Sequence, residues 1–124
     1  MALCLVAGAV AATLALESFT LAWMHSIEKI RWEEDWRVES RQLVLHEARI
    51  RGTGAGMEPP PDAVFENGAW RYRPALPPQE ALRLTHSPHT AGYELCIAGR
   101  CGPLADHLPG IDNTAVIEIR GCPP

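Results

Sequence analysis

The chain has 124 residues, 47% of them apolar and 21% charged, and a formal net charge of −4. This length buries one core and no second. The composition excludes a disordered tail, and the acidic balance leaves no basic footprint for nucleic acid. Eleven prolines and ten glycines punctuate the chain, which suits short strands and turns better than helices.

Residues 1–16, MALCLVAGAVAATLAL, are apolar and small. The run is short for a bilayer span, and Gly8 breaks it. Small residues from Ala7 to Ala11 fit a signal-peptide cleavage site, but no Lys or Arg precedes the run, and a signal needs that positive charge. The competing reading is a strand over Leu3 to Ala7, a turn at Gly8 and a second extended piece to Leu16. Leu3-Cys4-Leu5-Val6-Ala7-Gly8 is similar to Leu95-Cys96-Ile97-Ala98-Gly99 near the other end. An apolar strand follows each, Phe19–Met24 in one case and Ala115–Ile119 in the other. This short internal repeat favours the strand reading and predicts two hairpins in related positions.

From Phe19 to Ile27 the pattern has a period of two. Phe19, Leu21, Trp23, His25 and Ile27 share one face, and Thr20, Ala22, Met24 and Ser26 the other. Next, Trp32, Trp36 and Val38 oppose Glu33, Asp35, Arg37 and Glu39, which reads as a half-buried strand. A helix over Glu28 to Glu39 is the runner-up, but the two tryptophans and Val38 build no full helical stripe. Gln42 to Ile50 is a third strand, with Val44, Ala48 and Ile50 set against Leu43, Leu45 and Arg49. Gly52 to Gly56 releases the backbone, and Pro59-Pro60-Pro61 keeps the adjoining segment out of a central sheet position.

Asn67-Gly68 predicts a two-residue hairpin turn joining Ala63–Glu66 to Ala69–Tyr72. Pro74 to Pro78 is a linker. Ala81–Thr85 and Gly92–Ala98 are further short strands, Arg100–Pro109 is a loop with one helical turn near Leu104–Leu108, and Ala115–Arg120 alternates with Ile117 and Ile119 inward. These elements predict a single all-β domain over residues 1–124, a small antiparallel β-barrel or sandwich of roughly nine to eleven short strands, with at most one short helix.

Cysteines stand at 4, 96, 101 and 122. Cys96–Cys101 across a tight turn and Cys101–Cys122 are both geometrically open, and spacing does not choose. The spacing lacks the paired Cys-x-x-Cys pattern of a zinc site. For Cys4, inside an apolar run, a free core thiol is the expectation.

His25-Ser26-x-Glu28 is the most suggestive cluster. His and Glu serve as metal ligands or as acid and base, and His near Ser fits nucleophilic catalysis. Strand geometry opposes both, because adjacent side chains point to opposite faces. A structural bend held by His25 is therefore preferred, and no enzyme and no cofactor is expected. Glu33-Glu34-Asp35 is read as a solvated face partnered by Arg31, Arg37 and Arg41, ahead of a cation site. Gly54-Ala55-Gly56 opens no helix and lacks the Lys-Ser/Thr of a P-loop. Trp70-Arg71-Tyr72-Arg73 reads as half core and half solvated. His86, His89 and His107 receive no role.

Taken in order, His25-Ser26-Ile27-Glu28, Glu33-Glu34 and Gly54-Ala55-Gly56-Met57-Glu58-Pro59-Pro60 resemble a family of small bacterial domains of unknown function encoded beside TAXI-type TRAP transporters. The later Gly-Trp-Arg-like and Leu-Cys-x-x-Gly strands fit as well. The resemblance implies an accessory role with a transporter permease or its substrate-binding protein, a periplasmic or membrane-associated place, and His25, Ser26, Glu28, Glu33, Glu34, Gly54 and Gly56 as the residues of interest.

Overall fold

The structure, a computed structural model, describes residues 1–24, 30–51 and 60–123. Along them run eleven strands: β1 (Ala2–Ala7), β2 (Val10–Leu14), β3 (Ser18–Met24), β4 (Arg31–Glu39), β5 (Gln42–Arg51), β6 (Val64–Glu66), β7 (Ala69–Tyr72), β8 (Leu82–His86), β9 (Tyr93–Ile97), β10 (Arg100–Pro103) and β11 (Ala115–Cys122). A 3₁₀ turn, Leu104–His107, the only helical turn among the described residues, precedes β11. The strands form a seven-stranded sheet in the order β10-β9-β3-β4-β5-β7-β6 and a four-stranded sheet in the order β2-β1-β11-β8. Every pairing is antiparallel, and no strand serves both sheets, so the all-β domain is a sandwich and not a closed barrel.

The core lies between the sheets. Leu3, Leu5, Ile117 and Ile119 descend from the short sheet onto Phe19, Leu21, Trp36, Val38, Leu43, Leu45 and Leu95 of the long one, and Leu104 and Leu108 close one side. Each fully buried Leu or Ile contributes about 1.5–3 kcal/mol through removal of apolar surface from water.

The repeat seen in the sequence has a structural counterpart. β1–β2 and β9–β10 are hairpins with two-residue turns, at Gly8-Ala9 and Ala98-Gly99. β1 also pairs with β11, and β9 also pairs with β3. Each hairpin thus lies against the apolar strand that follows the other hairpin. Ala2–Ala7 and Val10–Leu14 are the strands of the first hairpin. The Asn67-Gly68 turn also forms as predicted, with positive φ at both residues, 54° and 78°.

Two expectations are corrected. Cys4 is not a free thiol: it is joined to Cys122, and Cys96 is joined to Cys101. β1 and β11 run side by side, so the two distant cysteines fall on neighbouring strands, a proximity that no local pattern announces. The run after Arg100 begins as a strand, because Arg100–Pro103 pairs back on β9 before the 3₁₀ turn.

The faces of β5 also differ from strict alternation. Leu43, Leu45, Ala48 and Ile50 are all buried. Asp35 faces Glu47 and Trp36 faces Leu45, which leaves His46 as an extra residue in β5. A bulge of this kind switches the parity of everything after it.

The β4–β5 turn carries positive φ at Ser40 and Arg41, neither of them glycine. Gly121 of β11 packs beneath it. A Cβ at Gly121 would stand 2.7 Å from Val38 Cγ1 and 2.9 Å from the Arg41 carbonyl, so only glycine lets the two sheets meet there.

Candidate functional site

β4 divides the acidic triple between two environments. Consecutive strand residues point to opposite faces, so Glu33 and Asp35 lie on the outer face of the long sheet and Glu34 on the inner one. On the outer face, register sets Glu94 of β9, Ala22 of β3, Glu33 of β4, Arg49 of β5 and Arg71 of β7 in one cross-strand row. Glu33 is only 8% exposed and collects three guanidinium groups. Arg31 Nε donates at 2.9 Å, Arg49 Nε at 3.0 Å and Arg51 Nε at 3.1 Å. Arg31 also reaches across Ala22 to Glu94 at 2.8 Å, a path that a larger side chain at Ala22 would obstruct.

Arg49 grips Asp35 with both terminal nitrogens, at 2.7 and 2.8 Å, and donates to Glu47 at 2.7 Å. Thr20 donates to Asp35 at 2.7 Å. Arg71 continues the chain of ion pairs from Glu47 to Glu66 of β6. The charges therefore cross the sheet from β9 to β6. Bidentate and charge-assisted bonds of this type hold side chains in fixed geometry.

Burial alone would raise the carboxyls of Glu33 and Asp35, but the donors outweigh it. Arg31, Arg49 and Arg51 hold Glu33 below the usual carboxylate range, and Arg49 with Thr20 does the same for Asp35. Arg49 is raised above its ordinary value, chiefly by its bonds to Asp35.

Above this network lies a cleft of about 460 Å³. Thr20, Asp35, Arg37, Arg49 and Arg51 face it, and the Cys96–Cys101 bridge closes one side. Arg37 and Arg41, expected as partners of the acidic run, make no ion pair among the described residues. Arg49 and Arg51 take that place. Sequence reasoning missed them because the bulge at His46 hides that Glu47, Arg49 and Arg51 share one face. The signal was the alternation of those three residues, read back from Arg51.

The inner face carries another row. Tyr93, Trp23, Trp32, Ile50, Trp70 and Phe65 succeed one another across β9, β3, β4, β5, β7 and β6. Trp23 stacks on Trp32 with centroids 6.1 Å apart, Tyr93 tilts onto Trp23 at 5.7 Å, and Phe65 onto Trp70 at 5.1 Å. One row away, Glu34 lies between Leu21 and Ala48. Its hydrogen bond comes from Trp36 Nε1 at 3.2 Å. Burial pushes its carboxyl above the ordinary value, and the indole N–H offsets only part of that rise. Tyr72 and Tyr93 are likewise raised by burial and then by the Glu34 charge.

Of the residues singled out in the sequence, Glu33 and Glu34 are adjacent in the chain and separated by the sheet, so they cannot ligate one ion together. His25, Ser26, Glu28, Gly54 and Gly56 lie outside the described residues. Among the described residues no group of His, Cys, Asp and Glu is placed to hold a metal ion. Among the described residues, Met24 faces Arg31, Arg31 faces Arg51 and Arg51 faces Ala69, so β3 and β5 end at the same end of the long sheet.

An antiparallel β-sandwich with a charge-braced outer face and an aromatic inner row is the class of protein these strands define. Its sequence places it further: the chain belongs to the DUF1850 family, a domain of unknown function, whose profile matches residues 19–104. That span holds nearly the whole seven-stranded sheet and the outer cleft, while β1, β2 and β11 of the short sheet fall outside it. No curated protein and no solved structure matches the chain.

Proposed function

We propose that this domain is a non-enzymatic interaction module that works with a TRAP-type solute transporter of the TAXI class, contacting its permease or its substrate-binding protein. The observation that carries the interaction reading is the β6 edge of the long sheet. No described strand pairs with the outer side of β6, and Val64 and Phe65 there are 53% and 51% exposed. An open apolar edge is a template for an added strand, with backbone hydrogen bonds giving affinity and side chains giving choice of partner. The transporter assignment rests on the sequence resemblance at His25 to Glu28, Glu33-Glu34 and Gly54 to Pro60. Two disulfides support a place in an oxidising compartment, outside the cytoplasmic membrane.

The test is co-purification of the tagged full chain with the permease and the binding protein in membranes where transport is active. Recovery of either one, lost in a Phe65→Asp variant that melts like the native chain, is the expected result. Absence of both partners from the native pull-down overturns the reading. The outer cleft favours a second reading, a small-ligand module, in which a polar ligand sits over Arg49 and Arg51. Thermal shifts across a panel of organic acids and amines, compared between native and Arg51→Gln protein, test that reading; no ligand-dependent shift removes it.

A further inference from the structure

The two disulfides hold different things. Cys4–Cys122 joins residues 118 apart in sequence and ties the first strand to the last. Cys96–Cys101 joins residues 5 apart, directly opposite each other in a hairpin whose register the backbone ladder already sets. A short ring removes less freedom from the unfolded chain than a long ring does. The small bond therefore adds less to folding than Cys4–Cys122, and its chemistry is the feature left to explain.

Its surroundings are asymmetric. Cys96 is 7% exposed, whereas Cys101 is exposed. Both cysteines border the outer cleft, which leaves room for an approaching thiol. Arg31 Nη2 stands 3.9 Å from Cys101 Sγ, and Glu33 and Glu94 fix that guanidinium in place.

We propose that Cys96–Cys101 is a thiol–disulfide exchange site whose partner is a protein dithiol, with Cys101 as the attacked sulfur. One partner thiolate attacks Cys101 Sγ. The Cys96–Cys101 bond breaks, its electron pair leaves on Cys96 Sγ, and that sulfur takes a proton. The partner is now joined to Cys101 through a mixed disulfide. The partner's second thiolate attacks its own sulfur in that bond, and the electron pair leaves on Cys101 Sγ, a thiolate beside Arg31. Two electrons pass from the partner, which ends as a disulfide; of the two protons its thiols give up, one ends on Cys96 and the other in solvent, while Cys101 stays a thiolate. The reverse reaction begins with the Cys101 thiolate, and buried Cys96 resolves the mixed bond. A neighbouring cation favours the thiolate, and access decides which sulfur is attacked.

The test equilibrates the full chain in graded dithiothreitol redox buffers, quenches with acid, alkylates, and reads intact and peptide masses. Cys96 and Cys101 are expected to open at potentials where Cys4–Cys122 stays closed. Joint opening, or prior opening of Cys4–Cys122, overturns the proposal. In a Cys96→Ser variant, the rate of iodoacetamide reaction at Cys101 is then measured against pH. Its midpoint is expected below the ordinary thiol value of about 8.5, to rise by about half a unit or more with Arg31→Met, and to stay low with Arg31→Lys. A midpoint at the ordinary value, unmoved by Arg31→Met, overturns the role given to Arg31 and Cys101.

Discussion

On the outer face of β4, Glu33 meets three guanidinium groups; one residue later, on the inner face, Glu34 meets a single indole N–H. Both side chains are carboxylates and both are largely shielded from water. The first is paired and lowered, the second unpaired among the described residues and raised. Burial acts on both in the same direction, so the difference comes from the neighbours that the pleat assigns to each face. The outer face is a polar brace, and the inner face is an apolar floor with one charge left in it.

The largest effect should come from Trp36, which serves the inner face twice: it fills the core and donates to Glu34. Trp36→Ala is expected to lose about 3–5 kcal/mol, read as a lower urea midpoint with an unchanged slope. A loss under about 1 kcal/mol would mean that the two sheets do not depend on this contact.

The two neighbouring glutamates should then separate in sign. Glu33→Gln leaves Arg31, Arg49 and Arg51 short of a charged acceptor and is expected to cost about 1–3 kcal/mol at pH 7. Glu34→Gln keeps an acceptor for Trp36 and removes a charge that burial disfavours, so stability should hold or rise by up to about 1 kcal/mol. Equal losses in the two variants would erase the contrast between the faces.

Acid titration sharpens the same contrast. Glu33 and Asp35 have folded values below their unfolded ones, so their contribution is complete above about pH 4 and is lost as pH falls through the lowered values. Glu34 has a folded value above its unfolded one. Its ionisation opposes folding at neutral pH, and that penalty disappears as pH falls through the raised value. The stability difference between Glu34→Gln and native protein should therefore be positive at pH 7 and vanish below about pH 4. A difference that is flat across this range would contradict the raised value.

The alternation of Phe19, Leu21 and Trp23, and of Trp32, Trp36 and Val38, was readable because a half-buried strand writes its face into every second residue. The Asn67-Gly68 turn was readable because positive φ at two successive positions has a narrow residue preference. His46 broke the legibility of β5, since one inserted residue exchanges the faces without altering composition. The Ser40-Arg41 turn carries no glycine to announce it. Arg49 and Cys122 owe their roles to strands that meet only after folding. Of the cluster named from the sequence, Glu33 proves to be the hub of the ion network, and Glu34 stands alone on the other side.

The smallest effect belongs at the far end of the ion chain. Arg71 is 45% exposed and Glu66 49%, although their 2.7 Å contact is as short as any made by Arg49. Water competes for both groups, and ordering two long side chains takes back much of the attraction. Arg71→Met should cost no more than about 0.5 kcal/mol, and most of that should disappear in 1 M salt, where screening acts within about 3 Å. Glu33→Gln should keep most of its larger cost in the same salt, because its partners surround it on a shielded face. If both costs collapse together as salt is added, the brace is a surface effect along its whole length and Glu33 is not its anchor.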